Sequence, residues 1–260
     1  MTAASPYALV TGASSGIGEC FARALAARGR NLILVARSTR KLEEMATQLG
    51  LQCNVAVEPI SLDLSERGAA ARLAATLRER GLAVELLVNN AGFGARGRFW
   101  ELPFERQAAM VRLNVQAVVE LTHLLLPAMV EARRGAIINV SSTASFQAVP
   151  YTSIYGATKA FVTSFSEGLA EELRPYGIAV VTLCPGGTRT NFHVASGFGR
   201  PPLPGGTQGP EGVVHAALAA LDRGGGLVVP GWMNKLSLVI QRLIPRRLVT
   251  KITARIFHPE

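Results

Sequence analysis

Seven short apolar runs recur along the chain, and most stop at a residue of unusual character. Ala8-Leu-Val-Thr11 ends at Gly12, Asn31-Leu-Ile-Leu-Val35 leads to Arg37, and the weaker run 55–61 leads into Asp63. Residues 84–88 end at Asn89-Asn90-Ala91-Gly92, 136–140 at Ser141-Ser142 and 179–183 at Pro185-Gly186, while 226–229 is the last run. Continuous apolar runs of this length, about 4–8 residues, read as buried strands. Stretches of helical spacing alternate with them. Helices are expected from Gly18 through Ala27, from a Ser38 cap to Leu49, from Ser65 to about Arg80, from Ser153 to Leu173 and from Pro210 to Leu221. A long helical region, 104–132, holds Pro127, which is expected to bend or divide it. Strict alternation of this kind predicts an α/β, doubly wound, mostly parallel seven-stranded sheet with helices on both faces. In such sheets ligands bind beyond the carboxyl ends of the strands. Gly12, Arg37, Asp63, Asn89, Ser142 and Pro185 all fall at those ends, which structure alone explains poorly. No internal repeat or linker interrupts the pattern, so 1–230 reads as one domain and 231–260 as a helical extension of it.

Composition adds limits. With 260 residues, 48% hydrophobic and 17% charged, the chain can fill one large core. Cys20, Cys53 and Cys184 are far apart and follow no ligand spacing, which suggests a reducing compartment without disulfides or structural zinc. No signal peptide is visible at the start, and no run approaches 18 uncharged apolar residues, so the expectation is a cytoplasmic protein without a membrane span. Of the net charge of +9, the stretch 231–260 carries a large share, with six Lys/Arg against one acid, Glu260. The basicity is therefore largely a property of the tail and does not point to nucleic acid.

Three groups carry candidate chemistry. Gly12-Ala-Ser14-Ser15-Gly16-Ile17-Gly18 joins the first strand to the first helix. Glycines there permit a tight turn and close backbone approach, and a helix N-terminus offers amides and a positive dipole end to phosphate. An ordinary Gly-rich turn is the competing reading. The second strand ends in Ala36-Arg37-Ser38 with no acid between Asn31 and Lys41. An acid there suits the ribose hydroxyls of NAD, whereas an arginine suits a 2′-phosphate, so Arg37 with help from Ser14 favours NADP(H) over NAD(H). A solvated surface arginine is the alternative. Tyr155 and Lys159 are four apart, on one face if helical. The ammonium should favour phenolate and draw the tyrosine pKa down. Alone, such a pair is common on ordinary helices.

Taken in order, Thr11-Gly12-x3-Gly16-x-Gly18, Asp63, Asn89-Asn90-Ala91-Gly92, Asn114, Ser142, Tyr155-x3-Lys159 and Pro185-Gly186 resemble the short-chain dehydrogenase/reductase family, in its single-domain Rossmann-fold form, over about residues 6–230. The resemblance implies a catalytic tetrad of Asn114, Ser142, Tyr155 and Lys159. In it Tyr155 exchanges the proton with a carbonyl oxygen. Lys159 lowers the tyrosine pKa and holds the nicotinamide ribose. Ser142 bonds the substrate oxygen, and Asn114 helps hold a relay water. It also implies cofactor contacts from Asp63 and Leu64 at the adenine, from Asn90, Ala91 and Gly92 along the adenosine, and from Pro185, Gly186, Thr188 and Thr190 at the nicotinamide. Asn89 is assigned to supporting the sheet. Members commonly form homodimers or homotetramers through the two long helices.

His123 reads as a packing residue and His193 as a solvated loop histidine; no metal-ligand set occurs, and a hydrolase nucleophile elbow is not supported. A substrate pocket is expected from Phe93, Gly94, 146–151 and the Gly/Pro-rich loop 190–210, where Phe146, Val149, Phe192 and Phe198 suit a lipophilic ketone, 3-oxoacyl or steroid-like. Arg96, Arg98 and Arg189 read as solvated. The competing functions are a catalytically silent nucleotide-sensing or scaffold protein and, less in keeping with the length, an epimerase or dehydratase. The tail 232–257 shows one apolar helical face split by Pro245. It either packs on its own domain or a partner subunit, or makes peripheral contact with an anionic membrane.

Overall fold

The protein is described by a computed structural model covering residues 6–192, 196–197 and 207–259. Seven strands form one sheet: β1 Tyr7–Thr11, β2 Asn31–Ala36, β3 Val57–Ser61, β4 Val84–Asn89, β5 Gly135–Val140, β6 Ile178–Leu183 and β7 Gly225–Val228. Their order is β3-β2-β1-β4-β5-β6-β7, and every pairing is parallel. The central strands are buried on both faces, which is why they read as unbroken apolar runs rather than alternating ones. Alternate residues feed two cores. Ala8 and Val10 pack with Phe21, Leu42 and Val214 on one face, and Leu9 packs with Leu73, Leu121 and Leu169 on the other.

The first face is covered by α1 Gly16–Ala27, α2 Thr39–Cys53 and α7 Pro210–Asp222; the second by α3 Ala69–Glu79, α5 Ala117–Glu131 and α6 Ser153–Leu173. The chain reverses direction across the sheet between β1 and β4. Loops leaving those two strands therefore part from each other and open a crevice at their carboxyl ends. All seven expected strands form, and α6 spans the expected residues.

The helix boundaries depart in three places. First, α2 runs past Leu49 to Cys53 and ends on Asn54 in the left-handed region (φ 54), while Ser38 at its start makes no side-chain cap bond. Second, α3 starts at Ala69 rather than Ser65. The Asp63 carboxylate accepts bonds from the Ser65 amide (2.8 Å) and hydroxyl (2.7 Å), and Gly68 follows with φ 71. That local turn ties the Ser65 amide and hydroxyl to the Asp63 side chain, an alternative to helix at this position. Third, the long helical region divides before Pro127. Helix α4, Phe104–Val111, passes into a π-helical turn, Arg112–Gln116, and then into α5, which contains Pro127 without a break. By length and composition, 104–131 is apolar enough to cross a membrane, although no such span was expected from the sequence. In the fold its Leu121 and Met129 lie in the core, and its Thr122 accepts a bond from Asn89.

The tail forms α8 Trp232–Arg242 and α9 Arg246–Phe257, separated at Pro245 as expected.

Candidate active site

Each functional side chain is delivered by a strand end or by α6. Thr11, the last residue of β1, is the joint between the first turn and the segment after β4. Its hydroxyl donates to Val88 O (3.2 Å) and accepts from the Asn90 and Ala91 amides (3.0 Å each). The Asn90 amide group donates to Thr11 O (2.8 Å) and Gly12 O (3.4 Å). These bonds seat the 89–92 segment directly beside the Gly-rich turn. The fit is close: a Cβ on Gly12, whose φ is +66°, would stand 2.8 Å from Asn90 Nδ2. Helix α1 then begins with Ser15 at its cap position and no side-chain cap bond. Its first amides thus face the crevice, as phosphate binding requires. Gly18 is not on the crevice wall; a Cβ there would lie 2.2 Å from Gly12 O, so it lets the helix pack on the turn.

At the far end of the crevice, the Arg37 side chain is 81% exposed, and its closest acid is Asp63 at 4.0 Å. Burial raises the Asp63 pKa, but the two Ser65 bonds and then Arg37 outweigh it, and the carboxyl lies below its usual value. Arg37 is therefore held loosely, with its fork open to an incoming anion.

The chemistry-bearing cluster lies between β5 and α6. Ser142 adopts extended backbone after β5 and caps a short 3-10 turn, Thr143–Phe146, accepting from the Ala144 amide at 3.1 Å. Its side chain is also hydrogen-bonded to Tyr155. Ser141 points away, donating to Lys159 O (2.8 Å), so spacing and geometry agree on Ser142 as the member that faces Tyr155. Lys159 is 5% exposed, and its Nζ donates to Val140 O at 2.8 Å, 5.9 Å from the centre of the Tyr155 ring. Phe192 packs on the same tyrosine, with centroids 5.5 Å apart.

The expected fall in the tyrosine pKa does not occur here. Burial dominates, the Ser142 bond opposes it, Cys184 adds to it, and the phenol is pushed up to about 12. Burial likewise pushes Lys159 down to about 8. The ammonium is turned to a backbone carbonyl rather than to the phenol oxygen, and desolvation wins.

Asn114 stands behind the crevice wall, inside the π-helical turn. Its Oδ1 accepts from the Phe93 amide (3.1 Å), and its Nδ2 donates to Phe93 O (3.0 Å) and to Thr158 Oγ1 (3.1 Å). A Cβ on Gly92 would sit 3.0 Å from Asn114 Oδ1 and 3.5 Å from Lys159 Nζ, so that glycine keeps the two close. Asn89 has a structural place: it donates to Thr122 Oγ1 and to Asn139 Oδ1, and Asn139 in turn donates to Ser166 Oγ.

All these surfaces meet in one cleft of about 1100 Å³. Gly12, Ser14, Ser15, Gly16, Ile17, Arg37, Asp63, Leu64, Asn90, Ala91, Gly92, Ser142, Tyr155, Lys159, Pro185, Gly186, Thr188 and Thr190 line it. Thr190 lies across the first turn, where a Cβ on Gly16 would meet its Cγ2 at 3.0 Å, and Thr188 donates to Gly186 O at 3.1 Å. A glycine-walled crevice with a helix N-terminus at one end and an open arginine beyond it fits a dinucleotide. Of the expected pocket residues, Phe93, Val149 and Phe192 line the cleft, whereas Phe146, Gly94 and Tyr151 do not; His193 and Phe198 lie outside the described residues. Sequence reasoning missed Trp232, Met233, Leu236, Ile240, Gln241 and Phe257, tail residues that line the same cleft. Their helical spacing was visible, but spacing does not say which side faces inward. Among the described residues no His/Cys/Asp/Glu group could hold a metal.

Comparison with known proteins gives the same direction. A family model described as short chain dehydrogenase matches residues 6–197. A very-long-chain 3-oxoacyl-CoA reductase from Bos taurus is 35% identical over 183 residues, which is 69% of this chain and 58% of the bovine protein. The match thus spans little more than half of that relative's length. A short-chain dehydrogenase from Sphingobium yanoikuyae in complex with NADPH superposes with a TM-score of 0.82 at 36% identity, covering 92% of this chain and 94% of that one. One from Burkholderia phymatum in complex with NAD gives 0.80 at 25%, covering 92% and 93%. The chain belongs to the short-chain dehydrogenase family.

Proposed function

We propose that this oxidoreductase uses NADP(H) to interconvert an apolar ketone and its secondary alcohol, with a fatty 3-oxoacyl group or a steroid-like ring as the substrate class. The observation that carries the reading is the half-buried Tyr155, hydrogen-bonded to Ser142 and backed by Lys159, on the wall of a cleft broad enough for cofactor and substrate together. A nicotinamide cofactor bound there supplies the hydride. Tyr155 supplies the proton. With its pKa near 12 the phenol is neutral at working pH, which is the form a proton donor needs in the reductive direction. Ser142 shares its hydrogen bond with the substrate oxygen and fixes it against the phenol. Lys159 stands where it can hold the nicotinamide ribose and favour the charge left on the tyrosine once the proton has gone. Asn114 locks Phe93 and Thr158 and so keeps Lys159 and the Gly92 backbone in register. Arg37 would take the 2′-phosphate.

Support for an apolar substrate comes from Phe93, Val149 and Phe192 on the cleft wall and from the bovine relative's name. The test is NADPH oxidation over 2-ketones of graded chain length and a steroid ketone. Tyr155→Phe should lower kcat/KM by about 10²–10⁴ while binding NADPH normally. Undiminished turnover in that variant would overturn the mechanism. Turnover of no carbonyl at all by the wild type would favour a silent nucleotide-binding role.

Two proposals concern partners. The outward tail positions Val239, Leu243, Leu248 and Ile252, interspersed with Lys and Arg, support peripheral contact of 232–257 with anionic membranes. Flotation with anionic liposomes, lost in Leu243→Asp, tests it. Exposed Leu124 on α5 and Phe161 on α6 support a homodimer or homotetramer through those helices, to be read by light scattering.

A further inference from the structure

The tyrosine of the site stands in the first turn of its helix. With Thr152 at the cap position, α6 starts at Ser153, and Tyr155 is its third residue. The amides of a first turn have no partner within the helix, and helix ends fray unless something ties them. Thr152 makes no side-chain cap bond. The first helical bond, from the Gly156 amide to Thr152 O (3.0 Å), depends on where Thr152 is held. The turn before it does the holding. The Thr152 amide donates to Val149 O (3.2 Å), so 149–152 is a β-turn with Pro150 at its second position and Tyr151 at its third. Tyr151 has φ 63. A positive φ at that position suits glycine or asparagine, and a bulky residue there costs energy and persists only where its neighbours hold it. Two neighbours hold this one. Its carbonyl accepts from the Gly97 amide (2.9 Å), and its ring packs edge-on against His258, with centroids 4.9 Å apart. His258 is fastened in turn, because the Arg96 guanidinium donates to its carbonyl and to Phe257 O (3.0 Å).

We infer that Tyr151 is a positioning residue for Tyr155: its ring, set into a turn that glycine would fit without strain, clamps the start of α6 and fixes where the phenol meets the substrate oxygen. The inference rests on the ketone/alcohol reading of the site and adds to it a residue that does not touch the reacting atoms. Tyr151 does not line the cleft. With Ile154 it lines a separate small pocket shared with Ala95, Leu102 and Met110, so the clamp ties the start of α6 to the segment that follows β4. Lys159, one turn beyond Tyr155, is held independently from β5, through its own bond to Val140 O and through Ser141, which donates to Lys159 O. Loosening the clamp therefore moves the tyrosine and leaves the lysine and the Gly-rich turn in place.

Three variants of the full chain separate the ring from the backbone. Tyr151→Gly and Tyr151→Asn suit the positive φ and remove the ring, whereas Tyr151→Phe keeps it. All three should fold, with Tm within about 5 °C of wild type and NADPH affinity unchanged. Tyr151→Gly and Tyr151→Asn should lower kcat for a ketone by about 10–100-fold with KM within about threefold, because a reacting group tolerates little displacement. The conservative Tyr151→Phe should restore kcat. Hydrogen exchange of the Gly156 amide in the NADPH-loaded proteins reads the clamp whether or not turnover is seen. It should be about tenfold faster in the two variants without the ring than in wild type and Tyr151→Phe. Equal exchange at Gly156 in all four proteins, a ketone kcat within about twofold of wild type in both ring-less variants, or NADPH affinity that falls in step with kcat would overturn the inference. Absence of carbonyl turnover by the wild type, with faster exchange in the ring-less variants alone, would count against the reaction and support the clamp.

Discussion

Replacing Arg37 with alanine separates cofactor choice from folding. In the free protein this side chain is 81% exposed and meets Asp63 only at 4.0 Å. An exposed pair of that kind contributes about 0–1 kcal/mol, so Tm should hardly move. A guanidinium that grips a 2′-phosphate makes charge-assisted bonds worth about 1.5–3 kcal/mol. At about 1.4 kcal/mol per factor of ten, Arg37→Ala should weaken NADPH by about 10–150-fold. NADH has no 2′-phosphate and should bind within about twofold of wild type. The assay is a fluorescence titration of each reduced cofactor at two salt concentrations. The NADPH affinity of the wild type should fall more steeply with salt than that of the variant, because an exposed ionic contact is screened. Arg37→Lys keeps the charge but loses the fork and should fall between the two. Equal losses for both cofactors, or none for either, would refute the assignment of the 2′-phosphate to this residue.

Glycine positions give a second contrast. Gly18→Ala drives a Cβ to 2.2 Å from Gly12 O and should destabilise by about 1–3 kcal/mol and weaken cofactor binding, while Gly50→Ala, whose Cβ meets only Val55 O at 3.5 Å, should stabilise by about 0.5–1 kcal/mol; denaturant melts of both variants decide it. Burial holds Lys159 near 8 in the fold against 10.5 in the unfolded chain, so between those values the unfolded chain binds more protons and stability contributed through this group rises with pH. The cofactor-free protein should gain about 1–3 kcal/mol from Lys159 between pH 7.5 and 10, measured as the difference in that slope between wild type and Lys159→Met. Asn114→Ala leaves both Phe93 backbone groups without their side-chain partner and should cost about 1–3 kcal/mol in urea unfolding; a change below about 0.5 kcal/mol would contradict the bonding described.

Much of this molecule is legible in its sequence, because strands buried on both faces must be apolar throughout and so announce themselves. The cleft-lining residues at their ends are legible for the same reason: Gly12, Asp63, Ser142 and Pro185 interrupt runs that are otherwise uniform. Features set by competition between nearby groups were harder to read. The Asp63–Ser65 turn displaces the start of α3 by four residues, since the carboxylate captures the Ser65 amide and hydroxyl. Pro127 looked like the break in the long helix, yet α5 accommodates it, and the irregularity sits at Asn114, where a side chain bonds a neighbouring loop. The spacing of Tyr155 and Lys159 shows proximity but not desolvation, and desolvation sets the direction of the tyrosine shift. In the tail, helical spacing revealed two faces without telling inside from outside.

The π-helical turn at Arg112–Gln116 makes this site unusually sensitive to chain length. Such a turn holds one residue more than an α-helical turn. Removing a single residue from it would restore a regular helix and leave the flanking helices on their faces, changing the direction only of the residues inside the turn. Asn114 would then swing away from Phe93 and Thr158, while the core contacts of α5 and the whole Gly-rich turn stayed intact. A one-codon deletion would thus take Asn114 from its partners while Ser142, Tyr155 and Lys159 stayed in place. In this fold the number of residues between Gly92 and the core of α5 governs the contacts of Asn114 as strictly as its identity does.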